Sequence, residues 1–111
     1  MSFSQTFLDS VVKRLLGYKV LAEKTFEQLS EADMHYAPNE TSNSVAIIIR
    51  HMAGNMLSRW TDFLTTDGEK DWRNRDSEFE DPQQTKAELL AFWEKGWQCC
   101  LQAIQGLEET D

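Results

Sequence analysis

Apolar residues recur at spacings of three and four along three stretches of the chain, the period of a helix that hides one face. The first stretch runs from Gln5 to Leu29 and carries Phe7, Leu8, Val11, Val12, Leu15, Leu16, Tyr18, Ala22, Phe26 and Leu29. Ser2, with Gln5 three residues on, has the form of a capping box at its start. Gly17 falls mid-helix, where glycine costs stability unless another helix passes close, so a close approach is expected there. A connection follows from Ser30 to Asn43, containing Pro38 and a polar run. Ser42, Asn43 and Ser44 are each competent to cap the next helix.

The second helix is expected over Ser44 to Leu64. At about 100° per residue, Val45, Ile49, Met52, Met56, Trp60 and Phe63 share one broad face. Ile47 and Ile48 extend apolar surface around its start, as in a helix central to a bundle. Thr65 to Pro82 is a long polar loop, and loops of that length in a compact domain are often functional. Trp72 and Phe79 suggest that it is tied down onto the helices. The third helix is expected to start near Pro82, with Asp81 as cap, and Thr85 with Glu88 forms a second capping signal. Leu89, Leu90, Trp93, Trp97, Cys100, Leu101 and Ile104 carry its period, and Gly106 ends it. The pattern predicts a single all-α domain over residues 1–111, an antiparallel bundle with three long helices and apolar surface for a fourth.

Composition narrows the function. A net charge of −8 repels phosphate backbones, so no nucleic acid partner is expected. The longest apolar run, Val45 to Ile49, is far too short to span a bilayer, and no apolar leader follows Met1, so a cytoplasmic protein without a membrane partner is expected. Cys99 and Cys100 are adjacent, a spacing that suits neither a disulfide nor a zinc site. Cys100 lies on the apolar stripe, which predicts a packed and inert thiol, with Cys99 more open.

His51 is the residue with most chemical promise. On the helical wheel it joins Ser44, Asn55, Ser58 and Asp62 in a polar stripe about 140° from the core centre, with Gly54 leaving room beside the imidazole. Such a placement suits a metal ligand or a general base. The plain alternative is a solvated helix face with an ordinary surface histidine. His35 lies in the connection, where a solvated imidazole is expected, and nothing in the sequence pairs it with His51. Arg73, Arg75, Asp76 and Glu78 crowd one span of the loop, either to clamp it by ion pairs or to bind an anionic substrate. No catalytic residue can be assigned from motifs: there is no GxSxG, no phosphate-binding glycine loop and no HExxH.

The stretch PNETSNSVAIIIRHMAGNMLSRWTDFLTTDGEKDWRNRDSEF resembles the DinB/YfiT-like metalloenzyme superfamily, in a bacterial branch, with its core in NSVAIIIRHMAGNMLSRWTDFL and DWRNRDSEF. The resemblance implies a four-helix bundle holding a divalent metal, zinc or nickel, on three histidines. One ligand comes from the second helix at the position of His51, and two from an HxxxH pair on the final helix. Some relatives are S-transferases for bacillithiol or a similar small thiol, with an electrophilic second substrate. No HxxxH occurs in these 111 residues, which end in GLEETD. The final helix is thus expected to be lacking, the metal site incomplete and catalysis weak or lost. The apolar groove left open predicts a homodimer. The competing expectation is a non-catalytic helical domain for dimerisation or partner binding.

Overall fold

The computed structural model describes residues 2–108; Met1 and residues 109–111, the end of GLEETD, lie outside them. Four α-helices and one 3₁₀ turn form, and no strand occurs among the described residues. They are α1 (Phe3–Glu27), α2 (Glu31–Met34), α3 (Val45–Trp60), the 3₁₀ turn (Asp76–Phe79) and α4 (Lys86–Gln105).

Hydroxyl caps start every α-helix. Ser2 Oγ accepts the Gln5 N–H at 3.1 Å, but the Gln5 side chain turns to Asp9, so only half of the expected box forms. α2 is a short helix inside the expected connection, held by a full box between Ser30 and Asp33. Of the three candidates for α3, Ser44 is the cap and takes the Ile47 N–H at 3.1 Å. α4 starts at Lys86 rather than near Pro82, on the reciprocal Thr85–Glu88 box. Asp81 does not cap it, because its carboxylate accepts from Gln83 N and His35, and Gln83 itself sits at φ 53°, which no helix continues through. α3 ends at Trp60 rather than Leu64 for a related reason: Thr61 is extended and Asp62 is left-handed at φ 50°.

α3 and α4 make the dominant helix contact, α1 lies mainly against α4, and α2 closes one end with Met34 fully buried. The backbones of α3 and α4 touch at Ala53 and Gly96, where a Cβ on Gly96 would stand 2.9 Å from Ala53 Cα. That crossing rotates the buried face of α3 towards its small residues. Ala46, Ile49, Ala53 and Met56 are buried, whereas Met52, expected on that face, is exposed. The close approach expected at Gly17 is absent: nothing lies within 4 Å of a Cβ built there. Gly96 holds that role.

On α4 the expected stripe is buried as read, through Leu89, Trp93, Trp97, Cys100 and Ile104. Phe26 meets Trp93 edge-on at 5.1 Å, and Trp93 Nε1 donates to Glu23 across the α1–α4 seam. Lys19 joins that seam with ion pairs to Glu23 at 2.9 Å and Glu94 at 2.8 Å. Trp97 Nε1 is buried without a hydrogen-bond partner among the described residues, a cost of about 1–3 kcal/mol against the ring's packing.

α1 is the least covered helix. Only Phe26 of its apolar set is buried, while Phe3, Phe7, Leu16, Tyr18, Val20 and Leu21 are exposed. The radius of gyration is 15.8 Å, against about 13 Å for a compact domain of this length. Among the described residues no helix is long and apolar enough to cross a membrane.

Candidate functional site

The polar stripe of α3 is not a solvated face: the loop from residue 61 to 85 lies along it. Ser58 is fully buried and donates to the Gly68 carbonyl. Lys70 Nζ donates to the Ser58 carbonyl at 2.7 Å and to the Asp67 carbonyl, fixing the turn over the end of α3. Asp62, expected on the stripe, has left the helix.

The tightest attachment is at Glu78, which is 4 % exposed on a loop residue that sequence alone places in water. Its carboxylate occupies the slot left by the missing side chain of Gly54: a Cβ there would overlap Oε2 and stand 3.0 Å from Cδ. Arg73 forks onto the same carboxylate, Nε to Oε2 at 3.0 Å and the terminal nitrogen to Oε1 at 2.9 Å. The Arg73 side chain is 3 % exposed, so the pair is buried and mutually neutralised. His51 completes the group, its Nδ1 at 3.2 Å from Glu78 Oε1. Phe79 flanks the imidazole with ring centres 5.2 Å apart.

An ionised carboxylate only accepts hydrogen bonds, so Nδ1 of His51 carries the donated proton. In the neutral ring that leaves the Nε2 lone pair free, and the ring is half exposed. A carboxylate behind one ring nitrogen is the support that orients histidines towards metals or protons at the other. Of the residues read from sequence, the structure brings together His51, Gly54, Arg73 and Glu78, and Arg73 with Glu78 form the loop clamp. Arg75 instead makes an exposed pair with Glu69 at 3.1 Å. Of Trp72 and Phe79, expected to tie the loop down, Phe79 does so against His51 while half exposed, and Trp72 is 59 % exposed. Sequence reasoning missed Glu78 as the partner of His51, and Gly54 was the one signal that marked its place.

His35 is a correction of a different kind. It is not a free loop side chain: Nδ1 meets Asp81 Oδ1 at 2.7 Å and Nε2 donates to the Gln84 carbonyl at 2.8 Å. With both nitrogens facing oxygen acceptors, the arrangement favours the protonated ring, which can donate to both. Burial pulls its pKa down, but the Asp81 hydrogen bond, the Gln84 carbonyl and the charges of Asp81 and Glu31 outweigh that and raise it above 6.5. It pins the end of α2 to the approach of α4 and is not part of the His51 group. Cys100 is buried, with its thiol pushed up to about 11 by burial and then by Cys99, as an inert packed cysteine should be. Cys99 Sγ lies 3.5 Å from Thr61 Oγ1.

The family described as "Protein of unknown function (DUF1572)" matches residues 2–111, nearly the whole chain. The chain belongs to that family. No curated protein and no solved structure matches this DUF1572 chain. Among its described residues no three His, Cys, Asp or Glu side chains converge as a metal-binding group. What the described residues provide around His51 is one imidazole with a buried carboxylate at its Nδ1.

Proposed function

We propose that this protein is a DinB-like metal-site domain in which His51 supplies one ligand to a divalent metal, zinc or nickel. The remaining ligands are drawn from outside the described residues or from a second copy of the chain. The observation that carries this is the Arg73–Glu78–His51 arrangement, which puts a buried carboxylate at Nδ1 and so favours the tautomer whose Nε2 keeps its lone pair. The resemblance of NSVAIIIRHMAGNMLSRWTDFL to that superfamily supports the same residue. A bound divalent metal would supply the Lewis acidity that favours the ionised form of a small thiol of the bacillithiol kind, for transfer to an electrophilic substrate. The residues of this chain hold the imidazole in its tautomer and keep the loop closed over α3. With one ligand in place, catalysis by these residues alone is not expected.

Elemental mass spectrometry on untagged protein tests the proposal. About one metal per chain or per dimer is expected, absent in His51→Ala and diminished in Glu78→Gln, whose amide no longer supports the imidazole as an anion. Metal-free protein in both wild type and variants overturns it.

A second reading has its own observation: the exposed apolar residues of α1, Phe3, Phe7 and Leu21 among them, suit a non-catalytic domain that forms a homodimer. A monomer throughout a wide concentration range in sedimentation would remove that reading.

A further inference from the structure

A cleft of about 340 Å³ opens beside the Arg73–Glu78 pair, between α3, α4 and the loop. Its charge runs against the rest of the molecule. The chain carries 19 acidic and 11 basic side chains, yet the cleft is lined by Arg50, Arg73 and Lys95 and by one carboxylate, Glu78. That carboxylate is already engaged by Arg73 on both oxygens. Arg50, half-buried on α3, and Lys95 on α4 have no ion pair or hydrogen bond among the described residues. Arg50 and the exposed Lys95 thus line one concavity of a protein with net charge −8, and the lining side chains there, three basic and one acidic, carry a positive balance that favours an anion.

The other walls specify more than charge. Trp72, a large ring 59 % exposed at the loop surface, and Phe92 from α4 line the cleft with two aromatic side chains, and Leu57 from α3 adds an apolar one. Asn74 is used by Ser77 only through its acceptors, side-chain and backbone, which leaves its amide hydrogens available to a ligand oxygen. The volume sits at the small end of ligand pockets, about 300–1,000 Å³.

We infer that this cleft binds a small organic anion with a planar apolar body, its carboxylate or phosphate head on Arg50 and Lys95 and its body against Trp72 and Phe92. The cleft keeps these charges whether or not a metal binds at His51, so the inference stands apart from the proposed metal role.

Phenyl phosphate is a suitable probe, with phenol as its neutral counterpart and inorganic phosphate as its head alone. Titration of the labelled chain, followed by amide and tryptophan indole resonances, is expected to give saturable shifts at Trp72 and at the Arg50 and Lys95 turns. Affinity is expected to fall about tenfold or more in the Arg50→Gln, Lys95→Gln double variant, as charge-assisted hydrogen bonds are lost. It is expected to hold in Lys13→Gln, a basic residue outside the cleft, with circular dichroism checking that every variant is folded. Phenol or inorganic phosphate binding as tightly, shifts located elsewhere, no saturation, or an unchanged affinity in the double variant would each overturn the inference. Metal content measured on the same samples reports separately on His51.

Discussion

Three glycines lie inside helices, and one substitution, glycine to alanine, is expected to act on them in different directions. At Gly17 on α1 a Cβ meets nothing within 4 Å, so Gly17→Ala gains helix propensity alone, about 1 kcal/mol. At Gly54 the same gain is opposed, because the Cβ falls on the Glu78 carboxylate. A lone side-chain end could swing aside cheaply, but Glu78 is 4 % exposed and forked onto an equally buried Arg73. Expelling it leaves a buried guanidinium without its anion, a loss of about 3–5 kcal/mol, so the net destabilisation is about 2–4 kcal/mol. At Gly96 the Cβ meets Ala53 Cα at 2.9 Å and its carbonyl oxygen at 3.1 Å, backbone atoms that move only if α3 and α4 part. Overpacking there costs about 1–3 kcal/mol, less the propensity gain of about 1 kcal/mol. Urea unfolding of the three variants and wild type, with slopes compared to check the transition, gives the three signs directly. Gly54→Ala as stabilising as Gly17→Ala would show that Glu78 does not occupy the slot, and the supported imidazole would fall with it.

Removing Arg73 isolates the same anion from the other side: Arg73→Met is expected to lose about 3–5 kcal/mol in the same urea assay and to restore part of it when combined with Glu78→Gln. The His35–Asp81 contact sets a pH window. The raised His35 contributes in full below 6.5 and loses its contribution as pH rises through its folded value. Asp81, lowered from 3.8 first by its Gln83 hydrogen bond, contributes above 3.8 and loses it in acid. Wild type is therefore expected to exceed His35→Gln by about 1 kcal/mol at pH 5 and by less above neutrality, read from melts at both pH values; a gap that widens with pH would refute the pairing. Iodoacetamide at neutral pH is expected to label Cys99 before Cys100, whose thiol is buried and shifted to about 11, with peptide mass spectrometry identifying the site.

The helices were legible because their signals are local. Periodicity placed α1, α3 and α4, and Gly106 ends α4 as read, while its start moves from Pro82 to the second capping signal, the Thr85–Glu88 box. The errors at the boundaries come from backbone states that composition does not announce. Asp62 and Gln83 are non-glycine residues with positive φ, and each stops or delays a helix whose apolar pattern runs on. The helix wheel of α3 failed at Met52 because a wheel weighs hydrophobicity, whereas the crossing at Ala53 and Gly96 is decided by smallness. Small residues let the backbones approach, and the burial follows the approach.

The site was legible only in part because its decisive contact joins residues 27 positions apart. Sequence showed His51 with glycine one turn on and, separately, a loop dense in charge. Each has a bland meaning alone. A surface glycine in a helix costs stability, and a loop carboxylate is normally solvated, so neither residue has a local reason to be where it is. Together they explain one another, because the slot at Gly54 admits the carboxylate and Arg73 neutralises it. The orientation of His51 is then a consequence of how the loop docks, which makes the loop a part of the site rather than its cover. The same docking brings Trp72 and Asn74 over α3 and α4 beside Arg50 and Lys95. One buried ion pair thus lies between two neighbouring features: an imidazole held on one helix position and a cleft lined by Arg50 and Lys95 beside it.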